Sequence, residues 1–130
     1  MASQIKYSGS KVYFDKLGKK ELEYEFFGLN RSRTDCIYFL YEDGEYFIDF
    51  EVMIEEQKVI AKHFIEACEK IGFKVIKLTY GNKSRYSPSE TAPVYRINVG
   101  QSKEKAYEVG LQLIKLVFNA DENTIFEVLP

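Results

Sequence analysis

A chain of 130 residues is close to the commonest size of a single domain, and we predict one globular domain over 1–130. An apolar fraction of 45% excludes a disordered chain, and ten Tyr with ten Phe favour β-strands. The formal net charge of -2 and the pI near 5.5 argue against a broad nucleic-acid footprint.

The sequence carries no signal for export or membrane insertion. No apolar run approaches the ~20 residues that span a bilayer, and the start lacks the apolar core of a signal peptide. The two cysteines, Cys36 and Cys68, are too few for a disulfide scaffold. We therefore expect a cytoplasmic protein that makes no membrane contact.

Before residue 35 the pattern predicts two strands. Lys11–Asp15 is expected to form a short strand, followed by a turn at Leu17–Lys20. Glu21–Phe27 alternates strictly between charged and apolar residues, which predicts an antiparallel strand with one wet face. Gly28–Thr34 would be a polar connection, and the apolar side of the strand would carry Leu22, Tyr24 and Phe26.

The strongest local signal is a β-hairpin. Cys36–Tyr41 and Tyr46–Val52 flank Asp43-Gly44, a favoured two-residue hairpin turn. The turn fixes the register of the two strands. On the core face it predicts three cross-strand pairs, namely Tyr41 with Tyr46, Phe39 with Ile48, and Ile37 with Phe50.

The opposite face of the hairpin sets Leu40 against Phe47 and Tyr38 against Asp49. Contiguous exposed apolar groups rimmed by charge usually mark an interface. We therefore expect a two-fold homodimer that buries this face, since such dimers are the commonest oligomers. The alternative is a monomer in which the N-terminal segment Ile5–Tyr7 covers Leu40 and Phe47.

The second half of the chain predicts two helices and three strands. Glu55–Lys70 is expected to be a helix that Gly72 ends, and a second helix, capped by Ser102, runs to about Phe118. Strands are expected at Lys74–Tyr80, Val94–Val99 and Thr124–Leu129. The order ββββ-α-ββ-α-β predicts an α+β fold, a mostly antiparallel sheet with two helices packed on one face.

One connection in this half is unusually long. Gly81–Pro93 is a thirteen-residue polar segment, which is too long for an incidental turn in a compact domain. It is expected to be either a working loop or a mobile one.

Acidic and basic residues are segregated along the sequence. Asp35–Gln57 holds eight carboxylates and no Lys or Arg, whereas Lys70–Lys103 holds seven bases and one carboxylate. Surfaces of opposite sign steer partners. We therefore expect a non-catalytic inhibitor or immunity-type protein that engages a basic protein partner through the acidic hairpin. The expected partner-binding residues are Tyr38, Glu42, Asp43, Glu45, Asp49 and Glu51.

A basic strand–loop–helix junction supports an alternative function. The junction at 96–103 combines a strand end, Gly100 and a capped helix start, which present free backbone N–H groups to an anion. The preceding loop could add charge and a stacking ring. The alternative is therefore binding or sequestration of an anionic, nucleotide-like signal. Its expected ligands are Lys83, Arg85, Tyr86, Arg96, Ser102 and Lys103.

Residues for catalysis or metal binding are sparse. The single histidine, His63, is five residues from Cys68 and so lies on a different helix face. One His and two distant Cys cannot make a tetrahedral zinc site, and no phosphate-loop or nucleophile-elbow motif is present. We expect no enzyme, no metal and no cofactor. In size and composition the chain resembles small bacterial immunity proteins and phage counter-defence proteins.

Overall fold

The computed structural model describes residues 3–79 and 92–129. A short 3-10 helix at Tyr7–Ser10 leads into the first α-helix, and no described helix is long and apolar enough to cross a bilayer. In chain order the strands and α-helices are β1 (Gln4–Lys6), α1 (Lys11–Gly18), β2 (Phe26–Asn30), β3 (Cys36–Glu42), β4 (Glu45–Glu51), α2 (Gln57–Lys70), β5 (Ile76–Leu78), β6 (Val94–Gly100), α3 (Lys103–Phe118) and β7 (Ile125–Leu129).

The seven strands form one sheet in the order β1-β7-β2-β3-β4-β6-β5, and every neighbouring pair is antiparallel. The helices pack on one face of this sheet, so the predicted α+β class is confirmed. The core between them is rich in fully buried rings, namely Tyr7, Phe14, Phe27, Phe39, Phe50, Phe64 and Phe126. We call the opposite side of the sheet, on which no described helix packs, the open face.

The predicted hairpin is confirmed. Phe39 pairs with Ile48 and Tyr41 with Tyr46. Asp43 and Gly44 both have positive φ, at 53° and 78°, as the favoured type I′ turn requires. The core-facing residues Ile37, Phe39, Tyr46, Ile48 and Phe50 are all buried.

The second half follows the predicted order with shorter elements. The α2 helix begins at Gln57 rather than Glu55, and β5 spans only Ile76–Leu78. Gly72 adopts φ 93° after α2, and the Ser102 hydroxyl accepts a hydrogen bond from the Lys105 N–H at the start of α3. Of the predicted loop at 81–93, residues 81–91 lie outside the described part of the chain.

The predicted strand at Lys11–Asp15 is wrong, because this segment belongs to α1. Phe14 and Leu17 are buried at a three-residue spacing that suits a helix, whereas Val12 is 49% exposed. Within Lys11–Asp15 alone, Val12 and Phe14 resemble the alternation of a strand. The helical spacing becomes visible only when Leu17 is included. The predicted turn at Leu17–Lys20 is correspondingly displaced, since α1 continues to Gly18.

The predicted strand at Glu21–Phe27 is also displaced. Strand β2 starts at Phe26, and Phe27 pairs with Phe39 on the core side while Phe26 pairs with Leu40 on the open face. The apolar side of the predicted strand is therefore divided. Leu22 and Tyr24 precede β2, Leu22 packs against the core, and Phe26 lies on the open face. Side chains alternate between faces along a strand, so pairing with β3 decides which rings are buried.

The N-terminal segment does not cover the open face of the hairpin. Residues Gln4–Lys6 pair with β7, which places β1 at the sheet edge with β7 and β2 between it and β3. Tyr7 is completely buried, and its hydroxyl donates to the Tyr107 carbonyl oxygen of α3 at 2.8 Å. Cover of Leu40 and Phe47 by Ile5–Tyr7, the alternative drawn from the sequence, is therefore wrong.

Candidate binding surface

The open face collects the residues expected to bind a protein partner. Tyr38 pairs with Asp49, Leu40 with Phe47 and Glu42 with Glu45. Because directly paired residues share one face of a sheet, these six side chains lie together on one surface. Glu51 follows on the same face of β4, and Asp43 lies in the turn.

The turn end of the hairpin is its most acidic part. Glu42, Asp43 and Glu45 lie within four positions, and we call these three carboxylates the acidic tip. Glu45 accepts a hydrogen bond from the Asn98 side-chain nitrogen at 2.9 Å. Within residues 3–79 and 92–129, none of the three has an ion-pair partner. Like charges directly opposite across strands are unfavourable, so a basic partner would relieve the Glu42–Glu45 pair.

The acidic stretch Asp35–Gln57 carries less uncompensated charge in the folded protein than its sequence suggests. Four of its carboxylates pair with a base of the same chain: Asp35 with Arg31, Asp49 with Arg96, Glu55 with Lys58 and Glu56 with Arg33. The segregation of charge along the chain is therefore partly cancelled by folding. The acidic tip is the part of this stretch that keeps an uncompensated negative charge.

The Asp49–Arg96 pair joins the acidic and basic stretches on adjacent strands. Arg96 donates to both carboxylate oxygens of Asp49, at 2.7 and 2.8 Å, and the two residues are 9% and 7% exposed. The guanidinium also lies over the Phe47 ring, 5.2 Å from its centroid. Burial raises the pKa of Asp49, although the Arg96 hydrogen bonds oppose that shift. Asp49 is thus a structural residue inside the surface rather than an exposed contact.

Apolar side chains flank this pair on the open face. Leu40, Phe47 and Tyr38 are half-buried. Tyr24 stacks on Phe26 with ring centroids 5.5 Å apart, and Phe26 meets Tyr38 edge-on at 6.1 Å. From the sequence, Tyr24 and Phe26 were expected on the apolar side of one strand at Glu21–Phe27, and this aromatic row on the open face was not predicted. The signal that could have found it was the doublet Phe26-Phe27, which must put one ring on each face.

Of the residues expected to bind an anion, the three that the structure describes are not brought together. Arg96 lies on the open face, bound to Asp49. Ser102 and Lys103 start α3 on the helix side, where the Lys103 ammonium donates to Asp15 of α1 at 2.5 Å. Hydrogen bonds from Lys103 and Lys19 lower the pKa of Asp15, which is a local ion-pair network. Lys83, Arg85 and Tyr86, the remaining residues of this prediction, lie outside the described part of the chain.

A cavity of about 530 Å³ lies at the end of the open face away from the acidic tip. Cys36, Tyr38 and Glu51 form one side of it. Burial raises the pKa of Cys36 to about 11 and also raises that of Tyr38, and the Glu51 charge adds to both shifts. The thiol is therefore protonated at neutral pH and is a poor nucleophile.

Comparison with protein-family models, curated proteins and solved structures finds no match to this chain. Among the residues that the structure describes, no group of three or more His, Cys, Asp or Glu side chains could hold a metal ion. His63 is exposed and lines a groove between α2 and α3 with Glu66, Lys70 and Leu116. The open face is the surface where charge, aromatic rings and apolar side chains coincide.

Proposed function

We propose that this protein is a non-catalytic inhibitor or immunity-type binder that docks a basic protein partner on its open face. The observation that carries the proposal is the pairing of β3 with β4, which puts Leu40, Phe47 and Tyr38 beside Glu42 and Glu45 on one helix-free surface. Protein interfaces combine a central apolar and aromatic patch with a polar rim. We also propose a cytoplasmic location, because the two cysteines are free and thiols stay reduced in that compartment.

The acidic tip is expected to control how fast the partner binds. Charges on an interface rim act mainly on the association rate and are screened by salt. Reversing Glu42 and Glu45 together to Lys should slow association by about tenfold or more at low ionic strength, because the long-range attraction is removed. The partner would first be captured on the wild-type protein and purified. Its association rate with each variant would then be measured by stopped-flow or surface-plasmon kinetics.

A matched control carries the same change in net charge elsewhere. Glu66 and Glu69 are exposed on α2, on the helix side of the sheet, so Glu66→Lys with Glu69→Lys should leave the association rate within about twofold of wild type, since only the distant field changes. Equal slowing by the two double variants would show that net charge, and not the acidic tip, governs binding. If neither double variant changed the association rate, the proposal would be contradicted.

The homodimer expected from the sequence would use the same open face, with a second copy competing with the partner. Leu40 and Phe47 lie directly opposite each other and are half-buried, and none of the helices in residues 3–79 and 92–129 covers them. Replacing both by Glu should convert a dimer to a monomer in light scattering at high micromolar concentration. A monomeric mass for the unmutated protein would reject self-association and leave the heterologous partner as the occupant.

A further inference from the structure

The cavity at the far end of the open face contains a polar side chain that is held in place but incompletely bonded. Gln57 is only 5% exposed and lines the cavity. Its side-chain oxygen accepts hydrogen bonds from the N–H groups of Met53 and Ile54, at 2.8 and 3.1 Å. Its amide nitrogen, Nε2, has no hydrogen-bond partner in the part of the chain that the structure describes.

This arrangement fixes the orientation of the Gln57 amide before any ligand arrives. Both bonds to the 53–54 backbone use Oε1, so the two N–H donors of Nε2 are left for another acceptor. Nε2 remains accessible to solvent in the cavity, since Ser10 Oγ is the only buried side-chain polar atom without a partner among the described residues. A ligand that supplies acceptors to Nε2 would therefore replace water there, and a molecule without such acceptors would lose these hydrogen bonds.

The remaining lining of the cavity disfavours an anionic ligand. Arg33 is its one basic residue and is already paired with Glu56 at 2.9 Å, whereas Glu51 would repel an anion. Asn30 offers both an amide donor and an amide acceptor, and its side chain makes no hydrogen bond within the described residues. The Tyr38 ring supplies a flat surface, and the apolar walls are Met53, Ile54 and Leu129.

From these features we infer that the cavity binds a neutral, planar heterocycle of the nucleobase or nucleoside class. Its volume of about 530 Å³ falls within the range of roughly 300–1,000 Å³ typical of small-molecule sites. Asn and Gln amides recognise base edges because one amide presents a donor and an acceptor side by side. This site is separate from the acidic tip and does not depend on the proposed protein partner. It also differs from the anion site expected from the sequence, since it needs no phosphate.

Met53 provides a direct probe of occupancy. The chain has two methionines, so methyl-¹³C-methionine labelling gives a two-resonance spectrum in which Met53→Leu assigns the cavity signal. The four common ribonucleosides and their 5′-monophosphates would be titrated to millimolar concentration. We expect at least one nucleoside to shift the Met53 methyl resonance with saturation. Its monophosphate should bind no more tightly.

Gln57→Glu is the matched variant, because the new side chain keeps an oxygen for the Met53 and Ile54 N–H groups but loses the amide donors. It should weaken nucleoside binding by about tenfold or more, while thermal unfolding monitors the fold. Should this variant fail to fold, Asn30→Leu replaces it, with the same expected loss. The Glu42→Lys, Glu45→Lys protein should bind nucleosides as wild type does, which separates this site from the acidic tip.

Three results would overturn the inference. The first is that no nucleoside shifts the Met53 resonance. The second is that nucleosides bind Gln57→Glu as tightly as wild type. The third is that only the monophosphates bind, which would identify an anion site instead.

Discussion

Replacing Gly110 by Ala is expected to lower the free energy of unfolding by about 3 kcal/mol, even though Ala is the better helix former. Gly110 is buried in the middle of α3. A Cβ there would lie 2.7 and 2.9 Å from two ring carbons of Phe39 and would overlap the Tyr7 hydroxyl. The side chains of Tyr7 and Phe39 are at most 1% exposed, so close packing prevents them from moving away from the new Cβ.

The loss would extend beyond the overlap itself. Displacing the Tyr7 ring breaks its hydrogen bond to the Tyr107 carbonyl oxygen, which fastens the N-terminal segment to α3. Urea unfolding followed by circular dichroism measures the change. Gly9→Ala is the control, since a Cβ at Gly9 would meet only Ile5 at an ordinary 3.6 Å. A Gly110→Ala protein as stable as wild type would mean that α3 does not pack as closely on Phe39 as described.

Removing the Asp49 carboxylate is expected to have the second large effect. Asp49→Ala leaves the buried Arg96 guanidinium without the two hydrogen bonds that it makes to that carboxylate. Breaking a buried pair from one side costs about 3–5 kcal/mol, because a buried charge loses its counter-charge. The measurement is again urea unfolding, and a loss below about 1 kcal/mol would contradict the described burial of the pair.

A double variant separates the value of the pair from the cost of breaking it. Replacing Asp49 by Leu and Arg96 by Met removes both charges and keeps apolar volume against Phe47. Because the desolvation cost of a buried pair nearly offsets its attraction, the double variant should recover most of the stability lost by Asp49→Ala. A double variant as unstable as Asp49→Ala would show that the pair itself stabilises the sheet.

The hairpin could be predicted from the sequence because its determinants are local. Asp43-Gly44 dictates the turn, and the turn dictates every cross-strand pair up to Tyr38 and Asp49. The capped start of α3 at Ser102 is local in the same sense. Segments whose conformation depends on distant partners were misplaced. The best case is β2, where pairing with β3 overrode the alternation of Glu21–Phe27.

The candidate site could be predicted only in part for the same reason. The shared face of Tyr38, Glu42, Glu45 and Asp49 follows from hairpin register alone. The Asp49–Arg96 pair depends on the contact between β4 and β6. Its two residues are 47 positions apart in the chain, and no local pattern predicts that they meet. Gln57 did carry a signal, since it shares the helical stripe of Ala61, Phe64 and Cys68. A polar residue on a core stripe indicates a buried polar contact.

Binding of the partner to the open face is tested most directly by an NMR footprint. The purified partner would be added to ¹⁵N-labelled protein, and amide shifts would be mapped onto the sheet. We expect the largest changes at Tyr38–Phe47, with α2 and α3 little affected. Changes concentrated on the helix side, around Glu66 and Glu108, with Leu40 and Phe47 unmoved, would contradict it.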